Sequence, residues 1–280
     1  MENTRWPCID WKKVWHEMRA ARIRPLTVTY DKNFTRQFLT DEIAKNRASN
    51  YEYGGKAVKN MSGLLRPDFD VLEIGAGLGA LTVPMAEKVK MVKAMEISPE
   101  RVSVLREELG NRLINNVEVI ENDWMKIAEY EVKGRFDLVV CSHFLWQVED
   151  MELHLEKMEK ASRKFCAIMQ PSGRDAIVRD AYEVIISDPY QGQFEPDADI
   201  FPYIILRHKD RFLNTGSIEY TVKRDRQQLV RYVASFIGRY MEVDKKVGKA
   251  IADLAVRHMQ DGFHIERCKA VIMWWRVDSV

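Results

Sequence analysis

At 280 residues, 46% of them hydrophobic, the chain is long enough for one large domain or for one domain with a sizeable extension. Its 43 Lys and Arg stand against 42 Asp and Glu, a net charge of +1, so no global field recommends a polyanion or an anionic membrane as partner. The polar start Met1-Glu2-Asn3-Thr4-Arg5-Trp6 has no apolar signal region, and no apolar run reaches the roughly 18 residues of a membrane span, so a soluble cytoplasmic protein is expected.

Residues 1–65 read as a helical cap or lid: Trp6, Trp11 and Trp15 fall in one expected helix, and a second helical stretch runs from about Asp41 to Met61. Trp11 and Trp15, four apart on one helix face, also suit plain docking of that helix on a sheet. From residue 70 to 171 strands and helices alternate. The strand candidates are Val71 to Ile74, Met91 to Glu96, Val117 to Ile120, Phe136 to Ser142 and Phe165 to Gln170, each a short apolar run suited to a sheet buried on both faces. Between the second and third of these, Ser98 caps a helix, Pro99 takes its first position, and Val102, Leu105 and Leu109 recur at helical spacing. Pro84, inside a helix expected to begin near Leu78, predicts a kink. Alternation of this kind implies a parallel sheet with right-handed crossovers and ligands beyond the carboxyl ends of its strands.

After Pro171 a helix from about Arg174 to Ile186 leads into a turn-rich stretch with aromatics, and residues 188–225 read as a loop insertion shaping a substrate pocket. A strand follows at Ile218 to Val222, then helices near Gln227 to Met241 and Val243 to Met259, and an apolar extended run from His264 to Val277. Residues 66–280 are thus expected to form one α/β domain. Lys245, Lys246 and Lys249 read as a solvated helix face opposite Val247, Ile251 and Leu254. Cysteines at 8, 141, 166 and 268 show no Cys-x-x-Cys pair and no histidine at zinc spacing, so no metal site is expected.

The glycine-rich turn Gly75-Ala76-Gly77-Leu78-Gly79 after the first strand lets a ligand lie against bare backbone. Acids stand at successive strand ends: Glu73, Glu96 and Asp123. A carboxylate at Glu96 suits a pair of ribose hydroxyls. Asp123, with Trp124 beside it, suits the exocyclic amine of adenine. Glu73 either attracts a cationic amino group or holds the glycine loop by backbone hydrogen bonds.

Val71 to Leu81, Ala94-Met95-Glu96-Ile97-Ser98, Glu121-Asn122-Asp123-Trp124 and Phe136 to Cys141 together resemble the successive motifs of class I S-adenosylmethionine-dependent methyltransferases, over about residues 55 to 171. The resemblance implies a doubly wound, Rossmann-like, seven-stranded, mostly parallel sheet with helices on both faces and an antiparallel last strand. It also implies S-adenosylmethionine as donor, S-adenosylhomocysteine as product, and a donor site drawn from Glu73, Gly75, Ala76, Gly77, Gly79, Glu96, Ile97, Asp123, Trp124 and Ser142.

His143, just past the fourth strand, is the candidate general base, and the plain alternative is that it hydrogen-bonds a loop or the cofactor. Trp146, Tyr190, Phe194, Tyr203 and His208 are candidates for a substrate pocket, although each also suits packing. The stretch Leu78 to Thr82 is similar to the first motif of ribosomal RNA adenine dimethylases. Ser142-His143-Phe144-Leu145-Trp146, however, lacks the Asn/Asp/Ser-Pro-Pro-Tyr or Asn-Leu-Pro-Tyr turn that holds a flipped base. With the neutral net charge, this favours a small-molecule acceptor over nucleic acid. The alternatives are an RNA methyltransferase, a non-catalytic S-adenosylmethionine-binding protein and, from the glycines alone, a nicotinamide-dependent oxidoreductase. Nothing in the sequence indicates the oligomeric state.

Overall fold

The computed structural model describes residues 9–22, 32–173, 175–192 and 198–277. In chain order its helices are α1 (Trp11–Arg22), α2 (Lys32–Ala48), α3 (Glu52–Asn60), α4 (Thr82–Ala86), α5 (Pro99–Asn111), α6 (Glu129–Val132), α7 (Met151–Ala161), α8 (Ala176–Ala181), α9 (Ile200–His208), α10 (Arg226–Ile237) and α11 (Lys245–Arg257). The strands are β1 (Asp70–Ile74), β2 (Met91–Glu96), β3 (Val117–Glu121), β4 (Phe136–Ser142), β5 (Ser162–Ser172), β6 (Leu213–Arg224) and β7 (His264–Arg276).

They form one seven-stranded sheet in the order β3-β2-β1-β4-β5-β7-β6. The first five are parallel, and β7 lies antiparallel between β5 and β6. This is the doubly wound, Rossmann-like, mostly parallel arrangement expected, with a helical extension before it. Its winding reverses between β1 and β4, which places the ligand crevice beyond Ile74 and Ser142.

Strand alternation sorts the core into two layers. Val71, Val92, Leu138, Val140 and Ala167 face Tyr51, Val58, Met61 and Val83, whereas Leu72, Ile74, Met95, Val139 and Ile168 face Trp15, Leu155 and Phe201. A third cluster joins α8, α10 and α11, with Val247, Ile251 and Leu254 inward as their spacing predicts. Trp15 is 1% exposed and its indole N–H donates to the Val148 carbonyl at 3.0 Å; Trp11 meets Phe201 edge-on. The two tryptophans therefore dock α1, while Trp6 lies outside the described residues.

Two elements differ from expectation. The helix after the glycines does not start at Leu78 and kink at Pro84: α4 is one turn, Thr82–Ala86. Pro84 has no N–H to return to the Ala80 carbonyl, and Gly54 of α3 closes on that spot. A Cβ on Gly54 would stand 2.0 Å from the Ala80 oxygen and 2.6 Å from Pro84 Cγ. The helical stretch of residues 41–61 breaks at Asn50 and Tyr51, both left-handed (φ 47° and 57°), and the chain turns there from α2 into α3.

The turn is fastened to the sheet domain at one carboxylate. Glu108 Oε1 accepts from Tyr51 Oη (2.7 Å) and Arg112 Nε (2.6 Å), and Oε2 accepts from Arg47 Nε (2.8 Å). Burial pushes Glu108 up, but these hydrogen bonds from Arg47, Arg112 and Tyr51 outweigh it and hold the carboxyl at about 2. Asp41 of α2 accepts both arms of Arg231 of α10.

Candidate active site

The glycine turn is shaped by its close neighbours. Gly75 has φ 71°, and a Cβ there would stand 2.6 Å from the Phe144 ring, so side-chain-free backbone is required. Gly77, at φ 57°, differs: a Cβ would meet nothing within 4 Å, because the turn faces open space. Gly79 lies against Leu105. Both the Gly75 and Ala76 amides donate to the Met95 carbonyl, at 2.8 and 2.9 Å, which ties the turn to the end of β2.

Glu96 closes β2 and is 4% exposed. Its Oε2 accepts from the Gly77 amide at 2.9 Å, and its Oε1 from the Ile97 and Ser98 amides at 3.0 and 2.9 Å. A carboxylate with about four lone-pair directions keeps capacity for hydroxyl donors beyond these bonds. Ile97 beside it is exposed.

Glu73 is 2% exposed and accepts from the Thr82 hydroxyl at 2.6 Å, so it anchors the start of α4 through a side chain rather than through loop amides. Burial raises its carboxyl to about 8; the Thr82 bond pulls the other way and the Glu96 charge adds to the rise. Glu73 is therefore mostly protonated at neutral pH in the free protein.

A cavity of about 280 Å³ opens over this turn. Glu73, Gly75, Ala76, Gly77, Ser142 and His143, all expected here from the sequence, border it. So do Tyr51, Tyr53 and Tyr220, which the sequence reading did not single out. Tyr53 Oη and Ser142 Oγ share a hydrogen bond of 2.6 Å, and the Tyr53 ring meets both His143 and Tyr220 edge-on with centroids 5.0 Å apart. His143 is exposed and left-handed (φ 54°), with its amide held by the Met169 carbonyl at 2.9 Å, so its ring stands out from the end of β4. Two signals for the missed tyrosines exist in the sequence: Ile218, Tyr220 and Val222 alternate on one strand face, and Tyr51 and Tyr53 directly precede Gly54-Gly55.

Other candidates lie apart from this cavity. Asp123, half-buried past β3, accepts from the Met125 amide at 2.9 Å. Trp124 turns into the core, where its indole N–H donates to His154 Nδ1 at 3.0 Å. Burial, with Lys157 nearby, lowers His154 to about 3, so the ring is neutral and its proton sits on Nε2, 3.9 Å from Cys141 Sγ. Trp146 stacks on Trp15, with centroids 5.0 Å apart. Tyr190 packs edge-on against Tyr182, Tyr203 is exposed on α9, and His208 borders a depression with Trp11 and Asp150. Phe194 lies outside the described residues. The stretch expected as a loop insertion instead carries α9 and β6, and of its residues Tyr220, Thr221 and Val222 reach the cavity.

No group of three or more metal-ligating side chains converges among the described residues, and no described helix is long and apolar enough to cross a membrane. Residues 65–190 match a family model described as a methyltransferase domain.

This segment is similar to a methyltransferase domain.

The observed residues fit S-adenosylmethionine, the donor expected from the sequence: a Gly77 turn open to a ligand, an acid at the end of β2, and a buried acid pair that a cationic ligand would relieve. Among solved structures, the YcgJ protein of Bacillus subtilis superposes with a TM-score of 0.54 at 11% identity, over 82% of this chain and 100% of that one. A Bacillus halodurans protein gives 0.53 at 13%, over 80% and 99%. Both likenesses concern the fold.

Curated relatives match over shorter segments. A probable ribosomal RNA small subunit methyltransferase A of Methanosphaera stadtmanae is 44% identical over 72 residues, 26% of this chain and 25% of its own length. The ribosomal RNA small subunit methyltransferases A of Leuconostoc citreum (41% over 96 residues, 34% and 28%) and Caldanaerobacter subterraneus (39% over 84 residues, 29% and 31%) are similar in the same way. The chain thus spans about a quarter to a third of the length of these relatives. They overturn two expectations, a methyltransferase of small-molecule type with a small-molecule acceptor and nucleic acid as an unlikely partner, and they favour the RNA methyltransferase kept as the alternative, since all three are named for RNA. The physical reason for the error is that a net charge is a sum over the whole surface, and it carries no information about the local field around a cleft.

Proposed function

We propose that the protein transfers a methyl group from S-adenosylmethionine to RNA. The observation carrying this reading is the 39–44% identity to ribosomal RNA methyltransferases in segments of 72 to 96 residues. The cavity supports it, because the aromatic wall of Tyr53, His143 and Tyr220 suits a planar base displaced from its strand.

The donor, when bound, supplies a sulfonium methyl already activated for displacement, whose carbon–sulfur electrons return to sulfur as the acceptor atom bonds the carbon. The chain's contribution is alignment and exclusion of water. Gly75, Ala76, Gly77 and Gly79 shape the floor, Glu96 takes the ribose hydroxyls, and Ile97, Asp123 and the Trp124 backbone flank the adenine end. Glu73 ionises against the donor's positive charge. Ser142, held by Tyr53, sets the rim, and His143 takes the proton released by the acceptor. α2 and α3 form the cap over this site. Unpaired Cys141, Cys166 and Cys268 suit a reducing compartment, and the cytoplasm is the proposed location.

The test is incubation with methyl-labelled S-adenosylmethionine and separated RNA, protein and metabolite fractions from the source cells. Label that enters RNA and is released by ribonuclease is expected. Label confined to another fraction would refute the acceptor, and tight donor binding with no transfer to any fraction would favour a non-catalytic binding protein.

A further inference from the structure

A second cavity, of about 310 Å³, lies beside the donor cavity. Lys45, His143, Tyr220 and Val222 border both, so the two are compartments of one cleft with Tyr220 and His143 at the join. The second compartment is built from the end of β5 and from facing residues of β6 and β7. Tyr220 pairs with Cys268 across these strands, and Val222 with Glu266. Its size is that of a site for one small organic group.

The charges around it are unevenly compensated. Glu266 accepts from Arg224 Nη1 at 2.5 Å, and Arg224 in turn lies 3.7 Å over the Tyr232 ring. Asp175 is tied to His264, whose Nδ1 donates to the His258 carbonyl at 2.9 Å. Both acids on the lining therefore already hold a cationic partner. Arg267, on the same lining, is exposed and pairs with no carboxylate among the described residues; Lys269, also exposed, has only a long 3.4 Å contact to Glu219. The mouth of this compartment thus presents net positive charge, although the chain as a whole is nearly neutral.

We propose that this second compartment receives the acceptor nucleotide of a single-stranded RNA segment, with the base against Tyr220 at the join and the neighbouring phosphates toward Arg267 and Lys269. This assignment rests on the RNA reading above and adds to it where the acceptor lies. Bases stack on aromatic faces whatever their sequence, and phosphates seek unpaired arginine at a cleft mouth. Transfer also requires the acceptor atom within about 3 to 3.5 Å of the methyl carbon, and the two compartments adjoin, sharing Tyr220 and His143.

Two variants at residues that border the second compartment and not the first test this. Cys268→Phe places a ring inside it, and Arg267→Glu reverses the charge at its mouth. Lys249→Glu, on the exposed face of α11, serves as control. Donor affinity is read by calorimetry, methyl transfer into RNA by label, and binding of a short fluorescent single-stranded RNA over about 50 to 200 mM salt. Cys268→Phe should keep donor affinity and raise the KM for RNA at least about tenfold. Arg267→Glu should weaken RNA binding about three- to tenfold and flatten the log–log salt slope by about 1, while Lys249→Glu changes neither. If Cys268→Phe loses donor binding it has not folded, and Arg267→Glu decides alone. A wild-type protein that methylates RNA while both variants, or Arg267→Glu alone, match it overturns the acceptor assignment and leaves the RNA reading standing. A wild-type protein that puts no label into RNA refutes the RNA reading, and this assignment with it.

Discussion

Glu73→Gln is the sharpest perturbation of the donor site. The carboxyl is buried, and its folded value of about 8 stands well above the ordinary 4.5. Between those values the folded state holds a proton that the unfolded chain has released. The stability linked to that proton is fully present below about pH 4.5 and is lost as pH rises through 8. Each pH unit in the window costs about 1.4 kcal/mol, so between about pH 5.5 and 8.5 the wild-type protein loses on the order of 3 kcal/mol that Glu73→Gln does not. The amide keeps an oxygen to accept from the Thr82 hydroxyl, now at 2.6 Å, so the main contact survives the change.

Urea denaturation of both proteins at several pH values measures this difference directly, because every other titrating group is common to the pair. The variant should gain on the wild type steadily with pH. A stability difference constant to within about 0.5 kcal/mol across the window would refute burial of a neutral acid at Glu73. A second readout follows from the same shift: a cationic donor favours the ionised carboxylate, so binding near neutral pH should release a proton in the wild type and none in Glu73→Gln, seen as a buffer-dependent calorimetric enthalpy.

Other perturbations test the turn and the cap. Glu96→Ala removes the acceptor for the ribose hydroxyls and frees the Gly77, Ile97 and Ser98 amides, so donor affinity measured by calorimetry should fall about 10- to 150-fold. Gly54→Ala and Gly55→Ala should diverge although they are neighbours on α3: the first forces a methyl 2.0 Å from the Ala80 oxygen and should cost at least about 3 kcal/mol in denaturation, whereas the second meets nothing within 4 Å and should stabilise by about 0.5 to 1 kcal/mol.

The donor half was legible in the sequence because its signals are local. A run such as Phe136 to Cys141 needs no partner to declare a buried strand, and Ser98-Pro99 states a helix start where the Ser98 hydroxyl does accept from the Arg101 amide. Glycine at 75 and 77 permits the left-handed backbone found there, φ 71° and 57°. The adenine end of the donor site and the acceptor half depend on distant partners. Trp124 stands where a ring could cover adenine, but His154, thirty positions on, provides the hydrogen bond that turns the indole inward. Trp146 is drawn onto Trp15 of α1 in the same way. Tyr53 reaches the cavity because Asn50 and Tyr51 adopt left-handed backbone, which neither residue type announces and which the Glu108 contacts help to hold.

Those contacts bear on how an acceptor enters. A cap that opens as a lid must break whatever fastens it, and at Glu108 that means parting a 2%-exposed carboxylate from both Arg47 and the Tyr51 hydroxyl, while Arg112, at the end of the same helix as Glu108, stays with it. Leaving a buried charge wholly uncompensated costs about 3 to 5 kcal/mol; the Arg112 pair that persists and the partial exposure of Arg47 make the cost of opening smaller than this. The Arg231–Asp41 pair holds the other side of α2. With both sides fastened, α2 and α3 act as a standing wall over the donor, so an acceptor need not displace them. The path that leaves these ties intact runs past the end of β5, between His143 and the first residues of β7, through the compartment that Arg267 and Cys268 border.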